Sequence, residues 1–140
     1  MASKILNISE QVSIALHSLK MMVSRNRILT AAEIAAHTGM SVNHLSKVLR
    51  RMVVAEIASA SKGPGGGFYV TQAQMSRPIM DVYVLFDGEP PKRDCMYSNS
   101  PCDKKKCVFG ELICTANRAF LEHFNNTKIG DLAAGSEDSN

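Results

Sequence analysis

The sequence predicts a mainly α protein with one small β-hairpin, an α+β arrangement in which a helix-rich N-terminal domain joins a long C-terminal helix. Three observations predict it. Apolar residues recur at spacings of three and four in residues 8–24, 31–54, 79–86 and 108–120. A glycine-rich loop, Lys62-Gly-Pro-Gly-Gly-Gly67, separates two short strand-like pieces. The 140 residues, 45% apolar and 21% charged, suit one globular domain of ordinary size.

The elements follow in order. Ile8, Val12, Leu16, Leu19 and Val23 form one apolar stripe, so residues 8–24 should be an amphipathic helix packed on a core. Thr30 with Glu33 three residues on is a capping box, and Gly39 can end the resulting helix in a left-handed conformation. Ser41 offers the next N-cap, and Leu45, Val48, Leu49 and Met52 supply the buried face of a second helix. This is helix-turn-helix punctuation. Residues 57–61 and 68–71 then read as the two strands of a hairpin. Ile79, Val82, Tyr83 and Phe86 mark a short helix closed by Gly88, and Glu89-Pro90-Pro91 stops it. Residues 92–106 contain too few apolar side chains for a core segment and read as an exposed loop. From Val108 the helical period returns, with Val108, Leu112, Ala116, Ala119 and Phe120 along one wide face that needs a partner, and residues 135–140 read as a disordered tail.

Composition narrows the function. No run approaches the roughly 18 apolar residues of a membrane helix, and MASKILNISEQ lacks the apolar core of a signal peptide, so a cytoplasmic protein without a membrane partner is expected. With no Trp and eight other aromatics, a stacking platform for single strands has little material. Nine Lys/Arg against three Asp/Glu in residues 1–77 make +6, while seven against ten in 78–140 make −3. A basic half joined to an acidic half suits a nucleic-acid-binding module joined to something else. Asn43, His44, Lys47, Arg50 and Arg51 lie near the start or along the outside of the second helix of the pair, and such side chains can meet base edges and phosphates of double-stranded DNA. Lys62 sits on a loop thin enough to approach a minor groove. The histidines, at 17, 37, 44 and 123, are scattered, and no nucleophile-base arrangement follows from spacing. No enzyme is expected.

All four cysteines fall within residues 95–114. Cys95, Cys102 and Cys107 are spaced C-x6-C-x4-C, and three thiolates on one loop can wrap an iron–sulfur cluster. Zinc usually takes closer pairs, and a metal-free thiol switch is the other alternative. On one continuous helix Cys114 would lie two turns beyond Cys107, about 10 Å along the axis.

Helix-turn-helix text ending in LSKVLRRM, then KGPGGGFYVT, then a cysteine cluster resembles the Rrf family of bacterial winged-helix regulators, over roughly residues 5–134. The resemblance implies a homodimer with two winged helix-turn-helix heads (1–77) and a sensor loop and dimerisation helix (78–134), the long helix crossing its counterpart. It places Ser41, Asn43, His44 and Lys47 at recognition positions and Lys62 on the basic wing. It also implies a [2Fe-2S] or [4Fe-4S] cluster on Cys95, Cys102 and Cys107 that sets operator affinity in response to redox, nitric oxide or iron–sulfur status. One branch of the family has a histidine where this chain has Gly110. Another takes a carboxylate from the partner's first helix, where an ungapped register puts Gln11 beside Glu10. The fourth ligand is therefore Glu10, Gln11 or Cys114. The rival expectations are a cluster-free regulator answering through thiols or a small ligand, and a cluster-carrying electron-transfer protein.

Overall fold

A computed structural model describes residues 7–90 and 107–133. Cys95, Cys102, the 92–106 loop and the 135–140 tail lie outside the described residues. In chain order the elements are α1 (Glu10–Arg25), α2 (Ala31–Thr38), α3 (Val42–Val54), β1 (Ser59–Ser61), β2 (Gly67–Tyr69), α4 (Gln72–Met75), α5 (Met80–Asp87) and α6 (Leu112–Asn126), followed by a closing 3-10 turn (Ile129–Ala133).

Helix α1 is the hub. Ser9 caps it, its hydroxyl accepting from the Val12 amide, and Asn26 ends it in a left-handed conformation. Ile8 precedes the helix and is exposed, whereas Ile14, Ala15, Ser18, Met21 and Met22 are buried beside Val12 and Leu19. The single stripe is thus widened, because α1 packs against α3, α5 and the closing turn at once. Ser18 is tolerated in this core because its hydroxyl donates to the Ile14 carbonyl.

The α2 punctuation is as the sequence predicts. Thr30 Oγ1 accepts from the Glu33 amide and the Glu33 carboxylate accepts from the Thr30 amide, while Gly39 closes the helix at φ 74°. The Thr30 backbone donor, then Arg27 at 3.3 Å, hold the Glu33 carboxyl below its usual range. On α3, Leu45, Val48, Leu49 and Met52 are all buried. Ser41 does occupy the N-cap, but its side chain makes no capping hydrogen bond.

The hairpin pairs Ser59 with Tyr69, Ala60 with Phe68 and Ser61 with Gly67. It is stitched to the α1–α2 connection by Leu29, which exchanges two backbone hydrogen bonds with Phe68, at 2.9 and 2.8 Å. Helix α5 packs on α1, and Tyr83 meets Phe120 and Phe124 of α6 edge-on, with ring centroids 5.0 and 5.6 Å away. Pro78 bridges Lys128, so the end of the chain folds back and Ile129 is fully buried in the same core as Val12 and Leu19.

Helix α6 departs from the expected pattern. It starts at Leu112, after turns at residues 108–111, and its buried residues are Asn117, Phe120 and Phe124. Val108 is 92% exposed, Leu112 63%, and Ala119 is exposed too. The expected face therefore splits: the C-terminal half serves this chain's own core, and the N-terminal half does not. Cys107 precedes the helix and Cys114 lies in its first turn, so the two are not separated by two helical turns.

Candidate nucleic-acid interface

The α2–turn–α3 unit presents α3 with one face down and one face out. At about 100° per residue, Asn43, Lys47, Arg50 and Val54 cluster opposite the Leu45, Val48, Leu49, Met52 face. Asn43, Lys47 and Arg50 are exposed, and Val54 is 85% exposed. His44 lies on the flank, half-buried. No side-chain cap occupies the first amides of α3, so its positive end is open beside Ser41 and Asn43.

Arg51 is placed differently. Its Nη2 donates to the Leu85 carbonyl at 3.0 Å and its Nη1 to Gln11 Oε1 at 3.4 Å, and its guanidinium lies 4.7 Å from the Phe86 ring centroid. The structure therefore brings Asn43, Lys47 and Arg50 together and sets Arg51 apart, against α1 and α5. Spacing alone could not separate Arg50 from Arg51, since both are basic neighbours on the polar side.

The wing's geometry explains its glycines. Lys62 follows the last paired residue of β1 and is exposed, and the Gly66 amide closes the loop onto the Gly63 carbonyl. Gly63 and Gly65 are left-handed, at φ 85° and 76°. Gly67 is needed for another reason: a Cβ there would lie 2.5 Å from the Leu29 carbonyl oxygen. We expect Gly67→Ala to push β2 off Leu29 and cost about 1–3 kcal/mol. Thermal denaturation checks this, and an unchanged Tm would mean that the wing is not seated on Leu29.

The base of the wing is braced by residues outside the motif. Gln74 completes a second capping box with Thr71, and its Nε2 donates to the Glu56 carbonyl. Arg77 donates to the same carbonyl at 3.1 Å and forms an ion pair with Asp81 at 2.9 Å. The signal that could have found α4 was Thr71-x-x-Gln74, which reads as a capping box.

Of the candidate cluster residues, Cys107 and Cys114 are described. Cys107 is exposed, and its Sγ accepts from the Phe109 amide at 3.4 Å. That bond orients the sulfur, as hydrogen bonds around a metal ligand do. Gly110 stands at φ 61°, a left-handed turn that favours glycine over histidine. Glu10 opens α1 and is exposed, while Gln11 is engaged by Arg51. The first turn of α1 sits beside the end of α5, since the Ser9 amide donates to Asp87 Oδ2 at 3.0 Å. Among the described residues no group of three or more His, Cys, Asp or Glu converges. No helix among them is long and apolar enough to cross a membrane.

A helix-turn-helix with an outward basic helix, flanked by a glycine-tipped hairpin, defines a winged-helix DNA-binding protein. The chain belongs to the Rrf2 family, described as iron-dependent transcriptional regulators, whose sequence profile matches residues 8–135. It is 33% identical over 69 residues to the HTH-type transcriptional regulator BadM of Rhodopseudomonas palustris, covering 49% of this chain and only 44% of BadM. It is 22% identical over 130 residues to the regulator IscR of Vibrio vulnificus, covering 93% of this chain and 74% of that protein. CymR, the global cysteine regulator of B. subtilis, shares the fold with a TM-score of 0.73 at 17% identity, covering 94% of this chain and 99% of that one. IscR of T. potens does so with 0.67 at 12% identity, covering 95% and 90%.

Proposed function

We propose that this regulator binds its operator as a homodimer and that an iron–sulfur cluster held by Cys95, Cys102 and Cys107 sets its affinity. The observation that carries this reading is the C-x6-C-x4-C spacing within a chain of a family described as iron-dependent regulators. The cluster supplies a redox-active, ligand-sensitive centre. Cys107 would hold it with its sulfur hydrogen-bonded to the Phe109 amide, and Glu10 is the best chemical candidate for the remaining ligand. Dimerisation through α6 is supported by the exposed Val108, Phe109 and Leu112 at and just before its N-terminal end, an apolar edge that the described residues leave uncovered.

Asn43, His44 and Lys47 read base edges, with Ser41 and Arg50 on the backbone and Lys62 on the wing. Lys62→Ala should weaken operator binding and lower its salt slope by about one unit, whereas Asn43→Ala should relax base preference by about 1–3 kcal/mol at one position. Titration at several salt concentrations and selection from random operators check the two. Unchanged slope and unchanged selection would remove both residues from the interface.

A second reading is a cluster-free regulator answering through thiols. It is favoured by the shared fold with CymR, also solved in an oxidised form from Staphylococcus aureus, with a TM-score of 0.70 at 18% identity. Anaerobic purification followed by a visible absorption spectrum separates the readings. A coloured protein whose operator affinity changes on cluster loss supports the first. A colourless protein that binds DNA and responds to thiol oxidation supports the second.

A further inference from the structure

We propose that Arg51 is a positioning residue that ties the recognition helix to the C-terminal turn of α5, so that the state of that turn sets operator affinity. The inference rests on the regulated DNA binding proposed above and assigns the internal connection.

Arg51 lies in the second half of α3, yet the described partners of its side chain belong to α1 and α5. The Leu85 carbonyl that it reaches at 3.0 Å is among the last four of α5, which have no acceptor role inside their own helix. The Val84 carbonyl is taken by the Gly88 amide, and Gly88, at φ 79° and ψ −177°, turns the chain away before the next bond can form. A guanidinium there satisfies an orphan carbonyl and complements the negative end of the helix. Its planar face also stacks on Phe86, one residue further along the same turn, at 4.7 Å. The second nitrogen reaches Gln11 in the first turn of α1, 3.4 Å away, where the Ser9 amide also meets Asp87.

One side chain of the DNA-reading helix is therefore seated on two elements at once. Both lie at the root of the segment that carries Cys95 and Cys102, which leaves α5 through Gly88, Glu89 and Pro90. A change that frays or re-aims the last turn of α5 removes the Leu85 carbonyl and the Phe86 ring together. Arg51 then loses its seat, and α3 loses one of its attachments to the rest of the fold. A phosphate contact would compete with this seat, because it would draw Nη1 and Nη2 away from Gln11 and the Leu85 carbonyl.

The test uses the full-length protein, with a selected operator titrated at several salt concentrations in the metal-loaded and metal-free states, for wild type, Arg51→Gln and Arg51→Lys. For wild type the two states should differ in affinity. In Arg51→Gln the ratio should shrink to within about twofold with the salt slope unchanged, and Arg51→Lys should behave alike, since an ammonium keeps the charge but not the stacked fork. Equal loss in both states of Arg51→Gln, with the slope lower by about one unit and Arg51→Lys near wild type, would make Arg51 a phosphate contact and overturn the proposal. A wild-type ratio preserved in Arg51→Gln also overturns it. Should wild type show no difference between states, the cluster reading fails, and hydrogen exchange then decides on Arg51. Loss of its seat should speed exchange of the Gly88 amide about fivefold in Arg51→Gln. Unchanged exchange there overturns the proposal.

Discussion

Cys107→Ser is expected to abolish the visible absorption of the anaerobically purified protein and, with it, any dependence of operator affinity on iron. A serine hydroxyl is a far weaker iron ligand than a thiolate and has nothing like its softness. Cys107 is also the triad member whose surroundings are described: an exposed sulfur accepting the Phe109 amide, in a turn closed by the Gly110 amide on the Cys107 carbonyl at 3.0 Å. Cys114, half-buried in the first turn of α6, should be replaceable by Ala with the spectrum intact. If Glu10 completes the site, Glu10→Ala should give a cluster that forms but decays faster, because a carboxylate would be the weakest of its ligands. Loss of colour in Cys114→Ala with none in Cys107→Ser would reverse the ligand assignment.

Phe124→Ala is expected to cost about 3–5 kcal/mol, a large part of the roughly 5–15 kcal/mol that holds a domain together. The ring is 5% exposed and packs at 4.6 Å on Phe120 and edge-on against Tyr83. Truncation removes apolar area, opens a cavity and breaks the ring pairs with Tyr83, Phe120 and His123 at once. It also loosens the joint that holds α6 on α5 and brings residues 127–133 back to α1. Urea denaturation, read by far-UV circular dichroism at fixed protein concentration, measures the loss. A cost below about 1 kcal/mol would mean that α6 is anchored by something other than this trio.

Several parts of this fold could be read from the sequence because their causes are local. The Thr30–Glu33 box and the left-handed Gly39 are decided within a few residues of themselves, and both stand where their residue types put them. The buried face of α3 follows from periodicity alone, as all four expected residues are buried. The hairpin follows from its glycines. Ser41 shows the limit of such reading: the residue type suits a cap and the position is the cap, but the hydroxyl is not used for it.

The sequence by itself determined the order of helices and hairpin, the outward placement of Asn43, Lys47 and Arg50, and the confinement of cysteines to one stretch, because these depend on spacing along the chain. Only the tertiary structure decided that Arg51, exposed like its neighbour Arg50, turns to Leu85 and Phe86 rather than outward with Asn43 and Lys47. It alone decided that Gly67 is required by Leu29, 38 positions away, and that α6 buries Phe120 and Phe124 in its own core while leaving Val108 and Leu112 outside. The physical reason is the same in each case. A polar flank or an apolar face states only that a side chain needs a partner, and which partner it meets depends on backbone that approaches from far along the chain.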